Sequence, residues 1–489
     1  MQFVSTRGIG PVSFWDAALG GVAADGGLYV PQILPARLVE ERHSDFASLV
    51  AEILHRFAPE DLSRAQIYAA AQRAFAHSDQ AFSHPAVAPL SQIDANSWFL
   101  ELFQGPSLAF KDFALRMIAE IWQIGLARGS RRVTALVATS GDTGGAAALA
   151  LANRPDMRLF VLHPKGRITD IQRRFMTSLD AGNVHNIEVE GDFDLCQAMV
   201  KAAFQDRDFV AEMDLVAVNS INWLRISVQC AFYYWSALGL GWDPQSEKGG
   251  KDQGPLLDFI VPSGNFGNCL AGLVAKKCGG PVGQLHIACN ANDFLARLLA
   301  TGQMRTALSV ATLAPAMDIQ VPSNLERALY WAGKDDPRLI KSLMSDFADQ
   351  GSVRLPSALF AALNTQMHAT RVDDARISEK LAWARASLDS AICPHSAAGL
   401  AALLEPGTTN ADQAKIRGRP KVVFATAHGA KFPEILLQAT GHIRELPDKA
   451  RWVTERPEAF TTIKTDGAQM PGTTALAHYV AQLQRIMRA

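Results

Sequence analysis

The sequence predicts an α/β protein with mostly parallel sheets, preceded by a helical N-terminal domain and interrupted late by a helical insertion. Three observations carry that expectation. From about residue 97, short apolar β-rich runs alternate with loops and helices, which is the pattern of βαβ units. The first hundred residues show helical periodicity instead. A helix-rich stretch at about 292–388 then separates the late strand Val422–Ala425 from the earlier ones.

At the N-terminus, Phe46, Leu49, Val50, Ile53, Leu54 and Phe57 fall on one helical face, with Ser44 as the expected cap. A second helix is expected around Ile67–Phe75, and Pro85 and Pro89 mark a loop after it. Val133–Ala138 reads as a strand that leads through SGDTGG into an Ala-rich helix. Leu159–Leu162 and Ile187–Val189 read as further strands, with a helix around Leu195–Phe204. The charged, Gly-rich segment Asp243–Gly254 reads as a surface loop. A second strand–loop–helix unit starts at Leu256, and Leu285–Cys289 is another strand. The expected domains are 1–96, mainly helical; 97–225, a smaller α/β subdomain; and 226–489, a larger α/β domain holding the insertion.

The bulk numbers agree with a globular enzyme-sized chain. Its 489 residues exceed what one core usually uses, and 48% hydrophobic with 19% charged residues is ordinary globular composition. A net charge of −1 gives no reason to expect nucleic acid or an anionic membrane as partner. The six cysteines are scattered without CxxC spacing and there is no HExxH, so neither disulfides nor a metal site is expected. No basic segment leads an apolar run at the N-terminus, and no stretch of about 18 apolar residues occurs. The expected location is therefore the cytoplasm.

Four segments carry chemistry. Lys111 lies among Leu108, Ala109, Phe110 and Phe113. Desolvation there favours the neutral amine, which can form a Schiff base with an aldehyde cofactor and move protons. The residues equally allow a lysine snorkelling at a helix start. Ser140-Gly141-Asp142-Thr143 joins a strand to a helix, where open backbone N–H groups and the helix dipole can hold an anion. A plain turn capped by Ser140 or Asp142 fits the same residues. Gly264-Asn265-Phe266-Gly267 has the same context and could cradle a phosphate. Thr426 ends a predicted strand, where ligands bind in open α/β sheets and where its hydroxyl can meet a ring nitrogen. Two anion loops and an apolar-flanked lysine suit a ligand with a phosphate at one end and a carboxylate at the other. Neither a GxxxxGK[ST] nor a GxGxxG loop is present, which argues against a nucleotide-binding protein.

Taken in order, the segments resemble the threonine synthase family in its fungal and enterobacterial branch. The chain carries STRG (Ser5–Gly8), DGGLYVP (Asp25–Pro31), GPSLAFKDF, ATSGDTG, PKGR (Pro164–Arg167), NSINWLR (Asn219–Arg225), SGNFGN, AMDIQVPSNLER (Ala316–Arg327) and ATAHGAKF. The resemblance runs nearly end to end. It implies a pyridoxal 5′-phosphate (PLP) enzyme of fold type II, like tryptophan synthase β, with Lys111 as the Schiff-base lysine. It implies Gly264, Asn265, Phe266 and Gly267 around the cofactor phosphate and Thr426 at the pyridine nitrogen. It implies Ser140, Gly141, Asp142 and Thr143 at the substrate carboxylate, with Asn222 on the substrate side. Lys165, Arg167, Arg225 and Arg327 are the implied cations for phosphate.

The implied reaction converts O-phospho-L-homoserine and water to L-threonine and phosphate, in a monomer or homodimer. Some departures touch the substrate side. Gln104 stands where the family often has His, Ser107 where it often has Thr, and Gly429 where it often has Pro. Cys393-Pro394-His395-Ser396 resembles a DPHT-like segment with Cys in place of the acid. A phospholyase releasing 2-oxobutanoate, phosphate and ammonia would use the same residues. A non-catalytic relative would be expected to lose Lys111 or break SGNFGN, and both are intact.

Overall fold

A computed structural model describes residues 1–78, 81–129, 132–246, 254–404, 418–465 and 473–489. Two sheets organise it. The larger has six strands in the order Met367–Arg371, Val282–Cys289, Leu257–Pro262, Lys421–Ala425, Ser97–Glu101 and Leu90–Asp94. All neighbours are parallel except the last pair, which is antiparallel. The smaller sheet has five parallel strands in the order Thr461–Ile463, Val184–Val189, Met157–Pro164, Val133–Ala138 and Leu215–Val216. Parallel strands must all end on the same side of their sheet, and that side is where loops of an α/β protein meet ligands.

The strand residues explain their burial. Leu257–Pro262 is buried at every position and Met157–Pro164 at all but one, so they read as continuous apolar runs without alternation. The helix Phe46–Phe57 buries the face that its periodicity defines. Its cap is Asp45 and not Ser44, because the Asp45 side chain accepts the N–H of Ser48. The Phe46 ring packs against Phe75, Phe113, Phe232 and Trp235. It thereby joins the N-terminal helices to Lys111–Gly129 and Trp223–Gly239. The last of these is buried on nearly all faces, which marks it as the central helix of the core.

Sheet membership differs from the expected domain boundaries in three places. Leu90–Asp94 and Ser97–Glu101, placed by the sequence in the first and second domains, belong to the larger sheet. The C-terminal strand Thr461–Ile463 and helix Thr473–Arg488 return to the smaller sheet and its helix Phe193–Gln205. The expected helical insertion contains five α-helices, but also a two-stranded antiparallel sheet, Gln303–Arg305 with Ser352–Arg354, and the edge strand Met367–Arg371. MHATR carries only weak period-2 patterning, as an edge strand does when one rim faces solvent. Of the expected polar loop Asp243–Gly254, residues 247–253 lie outside the described residues.

The strand Met157–Pro164 ends near an unusual core residue. His163 is fully buried, and neither ring nitrogen has a partner. The Phe460 ring meets it edge-on at 6.2 Å. Phe460 is held there by its neighbour Glu458, which binds Arg173 through two bonds of 2.7 and 2.9 Å. Burial, helped by Arg173, pushes His163 down from 6.5 to about 4. A depressed histidine contributes stability above its unfolded value of 6.5, and that contribution is lost as pH falls through 4. His163→Phe keeps the shape and removes the titration. The variant should melt close to the parent at pH 7 and lose less melting temperature between pH 6.5 and 4. Equal losses in a pH series of thermal melts would refute this.

Candidate active site

The site forms where the C-terminal ends of both sheets face each other. In the larger sheet, Lys421–Ala425 runs beside Ser97–Glu101 in register, so the chain segments that follow them emerge together. Ala109 pairs with Ala427, the N–H of Phe110 donates to the carbonyl of Thr426 at 2.8 Å, and the N–H of His428 donates to Leu108 at 3.0 Å. These bonds place Lys111 as the first residue of its helix, next to Thr426. Lys449 secures the preceding loop by donating to Ser83 Oγ and to the carbonyls of Gln104 and Gly105. The Gln104 side chain is itself engaged with Glu101 and Ser83 at 2.7 Å each.

The amine of Lys111 is enclosed. Its side chain is 12% exposed, and Nζ lies 4.7 Å over the Phe110 ring. Asp142 Oδ2 stands 3.6 Å from Nζ. Burial lowers the Lys111 pKa; Asp142 opposes this, while Arg225 and Lys431 reinforce it. The Asp142 carboxyl begins the helix Asp142–Leu151 and is fully enclosed. Its Oδ1 accepts from Lys431 at 2.8 Å and from Gln172 at 3.0 Å. Burial alone would raise its pKa, but Lys431, Lys111 and His395 hold it well below the carboxylate range.

The second anion loop is built on the larger sheet after Leu257–Pro262. Phe266 takes a left-handed conformation (φ 63°) and starts the helix Gly267–Lys277 with no side-chain cap, leaving its first N–H groups open. At Gly264 a Cβ would lie 2.6 Å from the carbonyl of Ala316, so only glycine fits. Asn265 receives Asn324 and Ser323. Near this loop, Asn268 Oδ1, Gln229 Oε1 and Arg225 Nε are buried with no partner in the protein. Buried polar atoms are seldom left unpaired, and here they mark a place prepared for a polar ligand. The Arg225 guanidinium donates to the carbonyl of Val218 at 3.1 Å, and burial pushes its pKa down to about 10, so it stays a cation.

The other expected site residues are placed as follows. Thr426 is buried, with Ser396 Oγ at 3.5 Å and Cys393 Sγ at 3.7 Å from its hydroxyl. Ser140 and Thr143 are half-buried beside Gly141, whose φ is 122°. Asn222 spends its amide on the Ala18 carbonyl and its oxygen on the N–H of Leu224, which fixes the helix start that carries Arg225. Arg327 is likewise committed, to Tyr29, Ile221 and Asn324. Lys165 and Arg167 lie exposed on the turn after Met157–Pro164, Lys165 paired with Glu190 at 2.9 Å.

Three participants were not singled out by sequence reasoning. Lys431 lies in ATAHGAKF, where a lysine among small and aromatic residues was a usable signal of the same kind as Lys111. Gln172 carried no such signal. His395 was visible only as part of a motif; it is buried, pushed down to about 4 by desolvation, and accepts the N–H of Ala316 at 3.0 Å. It thereby braces the segment against which Gly264 packs.

A desolvated amine, an uncapped helix start that admits only glycine at its mouth, unpaired buried donors and acceptors, and a hydroxyl at the next strand end fit PLP in chemistry and in layout. A family model described as pyridoxal-phosphate dependent enzyme matches residues 84–426. Fold and site define a PLP-dependent enzyme of fold type II, with PLP as its cofactor.

Two further models, threonine synthase N terminus and threonine synthase C-terminal, match residues 2–75 and 396–471. A threonine synthase of Pseudomonas aeruginosa is 36% identical over 96% of this chain and 97% of its own. The PLP-bound crystal structure of threonine synthase from Brucella melitensis is 36% identical, covers 100% of both chains and superposes with a TM-score of 0.87. The yeast threonine synthase structure covers 98% of this chain and 99% of its own at 30% identity and a TM-score of 0.83. The chain belongs to the threonine synthase family.

Gly264→Ala should cost about 1–3 kcal/mol through the clash with the Ala316 carbonyl, and, because relieving it displaces the loop, weaken PLP affinity by about 5- to 150-fold. Visible absorbance of PLP retained after gel filtration checks this. Retention equal to the parent would show that the loop does not close around the cofactor.

Proposed function

We propose that this protein converts O-phospho-L-homoserine and water to L-threonine and phosphate, working as a monomer or homodimer in the cytoplasm. The observation that carries the reading is the enclosed Lys111 amine beside Asp142, on a sheet whose next loop ends in the uncapped start of Gly267–Lys277. PLP, when bound, supplies an electron sink for carbanion chemistry at the substrate's Cα and Cβ.

The chain's own residues do the rest. Lys111 Nζ anchors the cofactor and, once released, takes the proton from the substrate Cα. The backbone of Gly264, Asn265, Phe266 and Gly267 would hold the cofactor phosphate, and Thr426 would offer the ring an uncharged hydroxyl. Ser140, Gly141 and Thr143 meet the substrate carboxylate through hydroxyls and N–H groups. Asp142 also belongs to that loop, but its carboxylate is already taken by lysines. Arg225 offers a desolvated cation to an anionic group of the substrate; Asn222 positions it. Lys165 and Arg167 stand exposed after the neighbouring strand and are further candidates for the substrate phosphate. The near-neutral charge of −1 supports a small-molecule substrate, and among the described residues no helix is long and apolar enough to cross a membrane.

The test is product analysis with PLP and O-phospho-L-homoserine. Threonine and phosphate should appear in equal amounts. Lys111→Ala should lower the rate by about 10²–10⁴-fold or more. Phosphate with 2-oxobutanoate in place of threonine would make the protein a phospholyase at the same site. Turnover unaffected by Lys111→Ala would overturn the assignment of Lys111.

A further inference from the structure

Lys431 is a buried cation that the reading above leaves without a task. Its side chain is 1% exposed and that of Asp142 4%. The short turn Gly429–Lys431 delivers it, and the turn is tied down where Thr169 Oγ1 donates to the Lys431 carbonyl at 2.7 Å. From there Nζ reaches Asp142 Oδ1 at 2.8 Å and the Ser107 carbonyl at 2.7 Å, and lies 5.0 Å over the Phe175 ring. Ser107 belongs to the loop that ends at Lys111. One ammonium thus grips both the loop before the reactive lysine and the carboxylate beside it.

The two oxygens of Asp142 are divided. Oδ1 takes Lys431 and Gln172, and Oδ2 faces Lys111. We propose that Lys431 is a positioning residue for Lys111: it fixes the Asp142 carboxylate with one oxygen toward the reactive nitrogen and offsets its charge there.

The need for such a residue follows from electrostatics. A lone carboxylate 3.6 Å from Lys111 would favour its protonated form, and in an enclosed site the effect would be strong. A second cation on the far oxygen cancels much of that field. The other ionisable groups facing Lys111 are Arg225, Cys393 and His395; His395 also faces Asp142, and Asp112 and His428 face Lys431. Burial keeps the Cys393 thiol and the His395 and His428 rings uncharged near neutral pH and raises the Asp112 pKa, so Asp142, Lys431 and Arg225 are the ions that bear on Lys111 itself. The same cancellation would ease approach of a substrate carboxylate to the Asp142 loop.

This inference rests on Lys111 bearing the cofactor, and the experiment separates the two. The readout is the pH midpoint of the visible absorbance of the full-length PLP-loaded protein, which follows protonation of the Lys111 nitrogen. Asp142→Asn should lower that midpoint by about one pH unit or more, and Lys431→Met should raise it by a similar amount. Lys431→Arg, which keeps the charge, should stay near the parent. The double variant D142N/K431M should return most of the way toward the parent, an outcome that a purely structural ion pair does not produce.

If Lys431→Met alone does not fold, because it strands a buried carboxylate, D142N is compared with D142N/K431M, and a higher midpoint in the double variant supports the proposal. Equal midpoints in those two variants overturn it. If instead no visible band forms, or Lys111→Ala retains it, the assignment of Lys111 fails and the inference falls with it.

Discussion

Burying an amine and keeping it reactive is the constraint around which this molecule is arranged. Lys111 must be dry enough to be neutral, yet it cannot sit in a plain apolar core, because its cofactor and substrate are anionic. The fold resolves this by placing the lysine at the first turn of a helix, where the end of one sheet meets the end of another. One side of the amine is the Phe110 ring and the other is the Asp142 carboxylate. Lys431 and Gln172 hold the Asp142 carboxylate in place.

The two sheets contribute unlike things. The larger sheet supplies the residues proposed to hold the cofactor: the uncapped helix after Leu257–Pro262, Thr426 after Lys421–Ala425, and Lys111 after Ser97–Glu101. The smaller sheet supplies Asp142 and the small-residue loop through Val133–Ala138. Parallel pairing makes this possible, since it brings the loop after each strand to the same edge. The C-terminal segment then locks the arrangement from outside, with Lys449 on the loop before Lys111 and Glu458 on the helix after the strand of His163.

Several elements were legible because their signals are local. The apolar stripe of Phe46–Phe57, the strand Val133–Ala138 and the glycine at Gly264 each follow from periodicity, β-rich composition or the need for a bare backbone. Lys111 was legible because its apolar neighbours are adjacent in sequence. The misreadings have the same origin in reverse. Met367–Arg371 becomes a strand only because Val282–Cys289 offers it an edge. Strands Leu90–Asp94, Ser97–Glu101 and Thr461–Ile463 cross between the parts that composition suggested. Asp45 displaced Ser44 as a cap by one residue, a choice made by backbone geometry.

The sequence by itself determined the class of fold and pointed to a desolvated lysine and two glycine-containing strand-to-helix loops, because helix periodicity, turn chemistry and desolvation act over a few residues. Only the tertiary structure decided which charges surround that lysine. Lys431 and Ser107 are 324 positions apart in the chain and 2.7 Å apart in space. Nothing in an apolar strand names its neighbour in a parallel sheet, so the order of strands, and with it the meeting of Lys111, Asp142 and Lys431, is settled by long-range packing alone.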